Sequence, residues 1–326
     1  MKARLKPLLS SAAIALTCCA MSTPASAAAI KEIFSLGGGA FAQDHIYRVD
    51  LGASTVSDLG SSGISFPTNL AMAPDRTLYY MNPFEATYGP GHRLFKATLN
   101  ATNTALVGAP TVVKDLPTAG FGIIDGFTVG PNGDLYMTGY GKSEIYRYNI
   151  AGDVFTTEVH LTGGGEFRSD LAFDPLAPGR LIGLGIAPGS SDRKLFQIDL
   201  GLLTDGVDNV YAWDYFGGAS SAWSTKVLNT SSEIGGNPDG LAFDPTNGDL
   251  FLSGDGTGIY AYNRSTAARG ALIPGTGDGS LNGLGFDLAF QTREQVIAVV
   301  PEPGSLALVL VGFGALVGRI RRKRSG

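Results

Sequence analysis

Acidic and amide side chains recur where a series of short apolar segments begins: Asn69, Asp125, Asp170 or Asp239, and Asp287. Oxygen donors converging from several segments are what a hard divalent cation such as calcium requires. Asn69, Asp125, Asp239 and Asp287 are therefore the candidate metal ligands, with Asp-Gly as a strand cap the competing reading. The loops GDGTG (254–258) and GTGDGS (275–280) lack the spaced carboxylates and terminal bidentate acid of an EF-hand and read as tight turns. Five aromatics, Tyr211, Trp213, Tyr215, Phe216 and Trp223, gather in one interval. Exposed, they form a stacking platform for sugar rings or a protein contact; buried, they pack an enlarged repeat. The three histidines, His45, His92 and His160, stand far apart at the edges of expected strands. No HExxH, nucleophile elbow, phosphate-binding glycine loop or paired-cysteine motif is present, so no catalytic residue is assigned and no cofactor beyond that cation is expected.

The elements that must position these groups repeat. Ile46-Tyr47-Arg48-Val49-Asp50, Leu94-Phe95-Lys96-Ala97-Thr98, Ile145-Tyr146-Arg147-Tyr148-Asn149, Leu195-Phe196-Gln197-Ile198-Asp199 and Ile259-Tyr260-Ala261-Tyr262-Asn263 share one alternating pattern, their aromatics spaced by 48, 51, 50 and 64 residues. Alternation with aromatic enrichment reads as strand, and a strand period near 50 reads as a β-propeller. A second, interleaved set begins at Asn69, Asp125, Ser169, Asp239 and Phe286, each copy an apolar strand, a turn and another strand, with Asn132-Gly133 and Asn247-Gly248 as hairpin turns. The second set supplies strands one and two of each blade and the first set strand three. TVVKDL, FTTEVHL, STKVLN and GALI supply strand four.

The expected fold is thus all-β, a five-bladed propeller over 28–300. Its last blade closes when strands 45–51 and 54–59 pair with 284–291 and 294–300, which removes two open edges. A sixth blade is the alternative, because the 64-residue interval contains NVYAWDYFGGASSAW and AIKEIFSL near the start offers a further strand. The strand-turn pattern resembles propellers of the NHL and gluconolactonase-like type. The latter resemblance implies a divalent metal at the channel mouth with a glutamate among its ligands, and no glutamate stands at the positions above.

The two ends carry an address. Lys2, Arg4 and Lys6, an apolar stretch from Leu8 to Ala20 and Ala25-Ser26-Ala27 make a signal peptide, cleaved after Ala27, that directs the chain to the Sec translocon and signal peptidase. Both cysteines, Cys18 and Cys19, leave with it, so the mature protein has neither disulfides nor thiolate metal sites. Residues 28–300 keep 16 Lys and Arg against 28 acids, a net charge of −12 that opposes binding to nucleic acid. At the other end, Pro301-Glu302-Pro303 precedes fifteen uncharged residues, 304–318, and the basic cluster Arg319, Arg321, Arg322, Lys323 and Arg324. As a helix the apolar stretch reaches roughly 22 Å against a hydrocarbon core of about 30 Å, a short transmembrane span that snorkelling flanks extend. The basic cluster keeps the C-terminus cytoplasmic. This order of features over 300–324 resembles the PEP-CTERM sorting signal of Gram-negative bacteria, also labelled an ice-binding protein C-terminal domain. That resemblance implies transient inner-membrane anchoring, processing by an exosortase, and release to the cell envelope or extracellular matrix. The function expected from sequence is an exported propeller that binds polysaccharide or an envelope protein without catalysis. The alternative is a metal-dependent hydrolase or lactonase at the channel mouth.

Overall fold

A computed structural model describes residues 31–37, 44–64, 67–82, 92–116, 123–162, 165–187, 189–199, 201, 207–211, 214–234, 236–254, 256–277 and 288–290, all within the unit Ile30–Val296. Strands are numbered β1 to β21 in chain order. The first three are β1 (Glu32–Leu36), β2 (His45–Asp50) and β3 (Thr55–Ser61). Four sheets follow in sequence. The first holds β4 (Thr68–Met72), β5 (Thr77–Asn82), β6 (His92–Thr98) and β7 (Thr111–Leu116). The second holds β8 (Ile124–Val129), β9 (Leu135–Gly139), β10 (Glu144–Asn149) and β11 (Val154–Thr162), with β15 (Val207–Tyr211) added in parallel to its outer edge. The third holds β12 (Glu166–Phe173), β13 (Arg180–Ile186), β14 (Arg193–Asp199) and the two-residue β16 (Asp214–Tyr215). The fourth holds β17 (Pro238–Phe243), β18 (Leu250–Gly254), β19 (Gly258–Tyr262) and β20 (Arg269–Leu272). β21 (Leu288–Phe290) then joins β1, β2 and β3 in the fifth. The chain is a five-bladed β-propeller, with no α-helix among the described residues.

The fifth blade closes as expected in principle but with a different division. One C-terminal strand and three N-terminal strands build it, and AIKEIFSL supplies its second strand, not part of a sixth blade. Ile33, Phe34 and Ser35 of β1 pair with Phe290, Ala289 and Leu288 on one side, while Glu32 to Leu36 pair with Asp50 to Ile46 on the other. All five β1 residues are buried, so this segment has both its ladder partners and its side-chain contacts only in that slot. Segment 294–300 lies outside the described residues. STKVLN is a second correction: residues 224–229 form turns, and the outer strand of the third blade is β16. The long interval therefore extends the edges of two blades through β15 and β16 instead of making a blade of its own.

Five buried apolar clusters hold the ring, each spanning one junction between neighbouring blades. The strands are covered on both faces, which is why β5, β9 and β18 are buried throughout. The repeated aromatic of the third strand belongs to these junctions: Tyr47, Phe95 and Tyr146 each pack against the preceding blade. Polar ties cross the same junctions near the ends of the inner strands. Asp174 meets Arg264, Lys31 meets Asp244 at 2.7 Å, and Asn103 Nδ2 donates to Glu32 Oε2 at 2.9 Å. The expected hairpin turns carry Gly133 and Gly248 at φ of 81° and 75°, the left-handed conformation for which glycine was read there.

Candidate functional site

The five inner strands, β4, β8, β12, β17 and β21, line the propeller axis, and their starts converge on one buried carboxylate. Asp170 accepts hydrogen bonds from the backbone N–H of Leu171 at 2.8 Å and of Leu241 at 2.9 Å; those of Phe127 and Leu288 donate as well. Four inner strands are thereby tied to one side chain. Burial pushes the Asp170 carboxyl well above the ordinary carboxylate range, against the opposing pull of the four N–H donors. On β4 Asn69, fully buried at a φ of 60°, donates from Nδ2 to Ile124 O at 3.0 Å.

Residues Asn69, Gly126, Asp170 and Gly240 hold corresponding places, five positions before the prolines Pro74, Pro131, Pro175 and Pro245. A Cβ at Gly126 would lie 2.5 Å from Ser169 O, and one at Gly240 would lie 2.5 Å from Ser253 Oγ, so neighbouring strands approach too closely for any side chain. Asp125 and Asp239 stand one residue earlier and are half-buried; Asp239 Oδ1 accepts a hydrogen bond from Ser169 Oγ at 3.0 Å. The sequence-level set Asn69, Asp125 and Asp239 therefore mixes two registers. Asn69 stands five residues before its proline and Asp125 and Asp239 six before theirs, while the pairing register shifts in all four of β4, β8, β12 and β17 near these places. Asp287 lies outside the described residues, and among those described no three His, Cys, Asp or Glu side chains gather as metal ligands.

Beyond this hub the axis widens into a cavity of about 350 Å³. Its wall repeats around the ring: small residues Ala71, Thr128, Ala172, Ala242 and Ala289, then the four prolines at the far ends of the strands. The lining contains no charged side chain. Small residues here are what leave the axis open.

Of the clustered aromatics, Phe216 and Trp223 are each only 2% exposed. They pack edge to face at 5.7 Å, Trp223 lies 6.0 Å from Tyr262, and its Nε1 donates to Arg264 O at 2.7 Å. They fill the junction between the third and fourth blades and present no stacking surface. Tyr215 is half-buried, stacked on Phe196 at 5.4 Å with Lys194 Nζ 5.1 Å over its ring. Tyr211 falls in β15, with its side chain outside the described residues, as is Trp213 entirely.

Another group was not singled out from sequence. On the second blade His160 sits directly across the β10–β11 ladder from Glu144, and its Nδ1 lies 3.2 Å from Glu144 Oε1. Its Nε2 lies 3.5 Å from Ser143 Oγ. Exposed Ile123 and Tyr140 stand beside this loop, linked by the hydrogen bond from Tyr140 N to Ile123 O at 2.7 Å, and the Arg168 guanidinium covers the Tyr140 ring at 4.5 Å. Glu144 stands five residues before the last pair of the hairpin, Asn149–Val154, and His160 six after it; the register shift at Ile145/Tyr146 brings them opposite each other, and a count from the turn alone would not pair them. Ser143 carries no signal either.

No protein-family model matches the chain. It is 33% identical over 144 residues to a glycerol-3-phosphate dehydrogenase [NAD(P)+] of Herminiimonas arsenicoxydans, covering 43% of this chain and 41% of that protein. The same identity and coverage hold for the dehydrogenase of that description from Janthinobacterium sp. (strain Marseille). The chain thus spans less than half the length of the curated relatives it matches. Among solved structures, a chain in the nidogen/laminin complex superposes with a TM-score of 0.50 at 14% identity, covering 80% of this chain and 97% of that one. At that identity the likeness speaks for the propeller fold alone.

Proposed function

We propose that this protein is an exported propeller that holds an apolar group of an envelope partner in its axial cavity. The cavity itself carries this reading: an open space of about 350 Å³ with walls of alanine, proline and aliphatic side chains and no charged lining residue. Such a site rewards apolar insertion, with the Thr128 hydroxyl the one polar side chain in its lining. It favours a protein partner over a polysaccharide, because the aromatics that could have stacked on sugar rings include Phe216 and Trp223, which are buried. The metal-dependent hydrolase reading has no supporting cluster among the described residues. The dehydrogenase activity of the partial relatives is not carried over, since the described residues contain no α-helix and hence no βαβ unit of the dinucleotide-binding kind.

The neutral dye Nile red is the probe of choice, because an acidic body repels anionic dyes. Saturable fluorescence enhancement is expected with the native protein. Ala242→Phe, which fills the cavity, should abolish it while leaving the melting temperature within a few degrees. Equal enhancement in the variant would remove this reading.

Export and sorting rest on the two chain ends. The signal-peptide pattern before Ala27, the Pro301-Glu302-Pro303 motif and the basic cluster 319–324 fit passage through the inner membrane followed by release. Among the described residues no helix is long and apolar enough to cross a membrane, and segment 304–318 is not among them. Intact-mass measurement of the protein recovered from a Gram-negative producer should give a chain lacking residues 1–27 and the basic cluster. A mature chain that keeps Arg319 to Arg324 would overturn the sorting step.

A further inference from the structure

We infer that Ser143, His160 and Glu144 form a serine-nucleophile relay that cleaves carboxylic esters on the surface of the second blade, a site separate from the axial cavity. Three observations lead there. The first is the order of contacts. Glu144 Oε1 stands 3.2 Å from His160 Nδ1, an arrangement in which the base form of the imidazole carries its proton on Nδ1. That leaves Nε2 unprotonated and able to accept, and it is Nε2 that faces Ser143 Oγ at 3.5 Å. Nucleophile, base and orienting acid thus occur in the sequence of roles that acyl transfer demands. At 3.5 Å the serine-to-base contact is at the outer limit of a hydrogen bond, a length compatible with catalytic pairs that tighten when substrate binds.

The second observation is that the acid is held. Ser143 N donates to Glu144 Oε2 at 3.1 Å while Oε1 serves the histidine, so both carboxylate oxygens are engaged and the imidazole plane is fixed from one side. Glu144 and His160 are also cross-strand neighbours, which places the pair on the ladder and not on a loop.

The third is the adjoining surface. Tyr140 and Ile123, 44% and 42% exposed, offer an apolar shelf within three residues of the nucleophile in one case and hydrogen-bonded to that segment in the other. Arg168 lies over Tyr140, and its Cζ comes within 3.7 Å of where a Cβ on Gly141 would stand. Arg168 is paired there with Glu166, whose Oε2 would lie 3.4 Å from the same Cβ, so the pair shapes this side of the shelf and lends it no net charge. The substrate class is an ester with an aromatic or aliphatic acyl group.

The chemistry balances without a metal or redox partner. Ser143 Oγ bonds to the ester carbonyl carbon as its proton passes to His160 Nε2. The C–O bond to the alcohol breaks, and His160 returns that proton to the leaving oxygen. Water then adds to the acyl-serine through the same base, releasing the carboxylic acid and restoring the hydroxyl.

The test is covalent labelling of the purified full-length protein with a fluorophosphonate probe, followed by peptide mass spectrometry, alongside hydrolysis of p-nitrophenyl butyrate. Label on Ser143 is expected, lost entirely in Ser143→Ala. His160→Ala should slow labelling by at least about 100-fold, and Glu144→Gln by about 10-fold with the ester KM nearly unchanged. These three side chains are partly exposed, so the melting curves of the variants should overlay that of the native protein, and His160→Gln serves as a second base-deficient variant if His160→Ala does not. Absence of labelling above a heat-denatured control, or labelling and hydrolysis that persist in Ser143→Ala, overturns the inference. Because Ala242→Phe leaves this site untouched, loss of dye binding there with labelling retained separates the two sites.

Discussion

Replacing Asp170 with alanine is expected to lower unfolding free energy by about 5 kcal/mol, since buried backbone donors left without an acceptor cost roughly 1 to 3 kcal/mol each. Leu171, Leu241, Phe127 and Leu288 all lose their acceptor at once. A loss of that size is comparable with the whole stability of an ordinary domain. Guanidinium unfolding followed by tyrosine and tryptophan fluorescence measures it, and a change under about 1 kcal/mol would mean the hub is not a structural node. The milder Asp170→Asn adds a pH signature. The folded-state pKa of Asp170 is raised above its ordinary value near 3.8, chiefly by burial, so between those two values the folded state binds more protons than the unfolded. The contribution of this group is fully present below the unfolded value and is lost as pH rises through the folded one. Asparagine does not titrate. The gap in melting temperature between native and Asp170→Asn should therefore widen on acidification from neutral pH toward pH 4 and narrow on the way back; other carboxylates are common to both proteins and cancel.

Arg264→Met is expected to cost about 3 to 4 kcal/mol, the range for removing one partner from a buried ion pair. The Asp174 side chain is fully buried, and Arg264 reaches it with both guanidinium ends, Nη1 to Oδ1 at 2.9 Å and Nη2 to Oδ2 at 2.5 Å. The guanidinium also lies 4.9 Å from the centre of the Phe216 ring. Methionine keeps the apolar stem but strands a carboxylate at the junction between the third and fourth blades. Lysine should recover less than half of the loss, because a single ammonium cannot span both oxygens. The double change Asp174→Leu with Arg264→Met should be far less harmful than Arg264→Met alone, as expected when the damage is an unpaired charge and not lost packing. Additive losses in that cycle would disprove the account.

How much of this was legible in the residues differs by feature. The repeated aliphatic-aromatic pattern gave five blades because its period and alternation are local properties of the chain, enforced by strand geometry. The positions of Tyr47, Phe95 and Tyr146 in the junction clusters follow from the same pattern. Turn glycines at 133 and 248 were readable for the same reason, since positive φ is a demand of the turn itself. The hub was read one residue out of register at two of its positions. The axial place falls on Gly126 and Gly240, not on Asp125 and Asp239; counting back five residues from the following proline in each segment would have given that register.

Sequence by itself determined the strand units, their number of repeats, the acidic character of the body and the composition of both chain ends, all set by neighbours along the polypeptide. Only the tertiary structure decided that β1 and not a later segment fills the second place in the closing blade, that Asp170 serves four strands, that Phe216 and Trp223 are interior, and that Ser143 and His160 meet. Those outcomes depend on groups brought together across long separations, 71 residues between Asp170 and the Leu241 amide it binds and 257 between the paired Ile33 and Phe290. Contact at such range is fixed by the closed ring as a whole, through burial and hydrogen-bond satisfaction that no single segment can express.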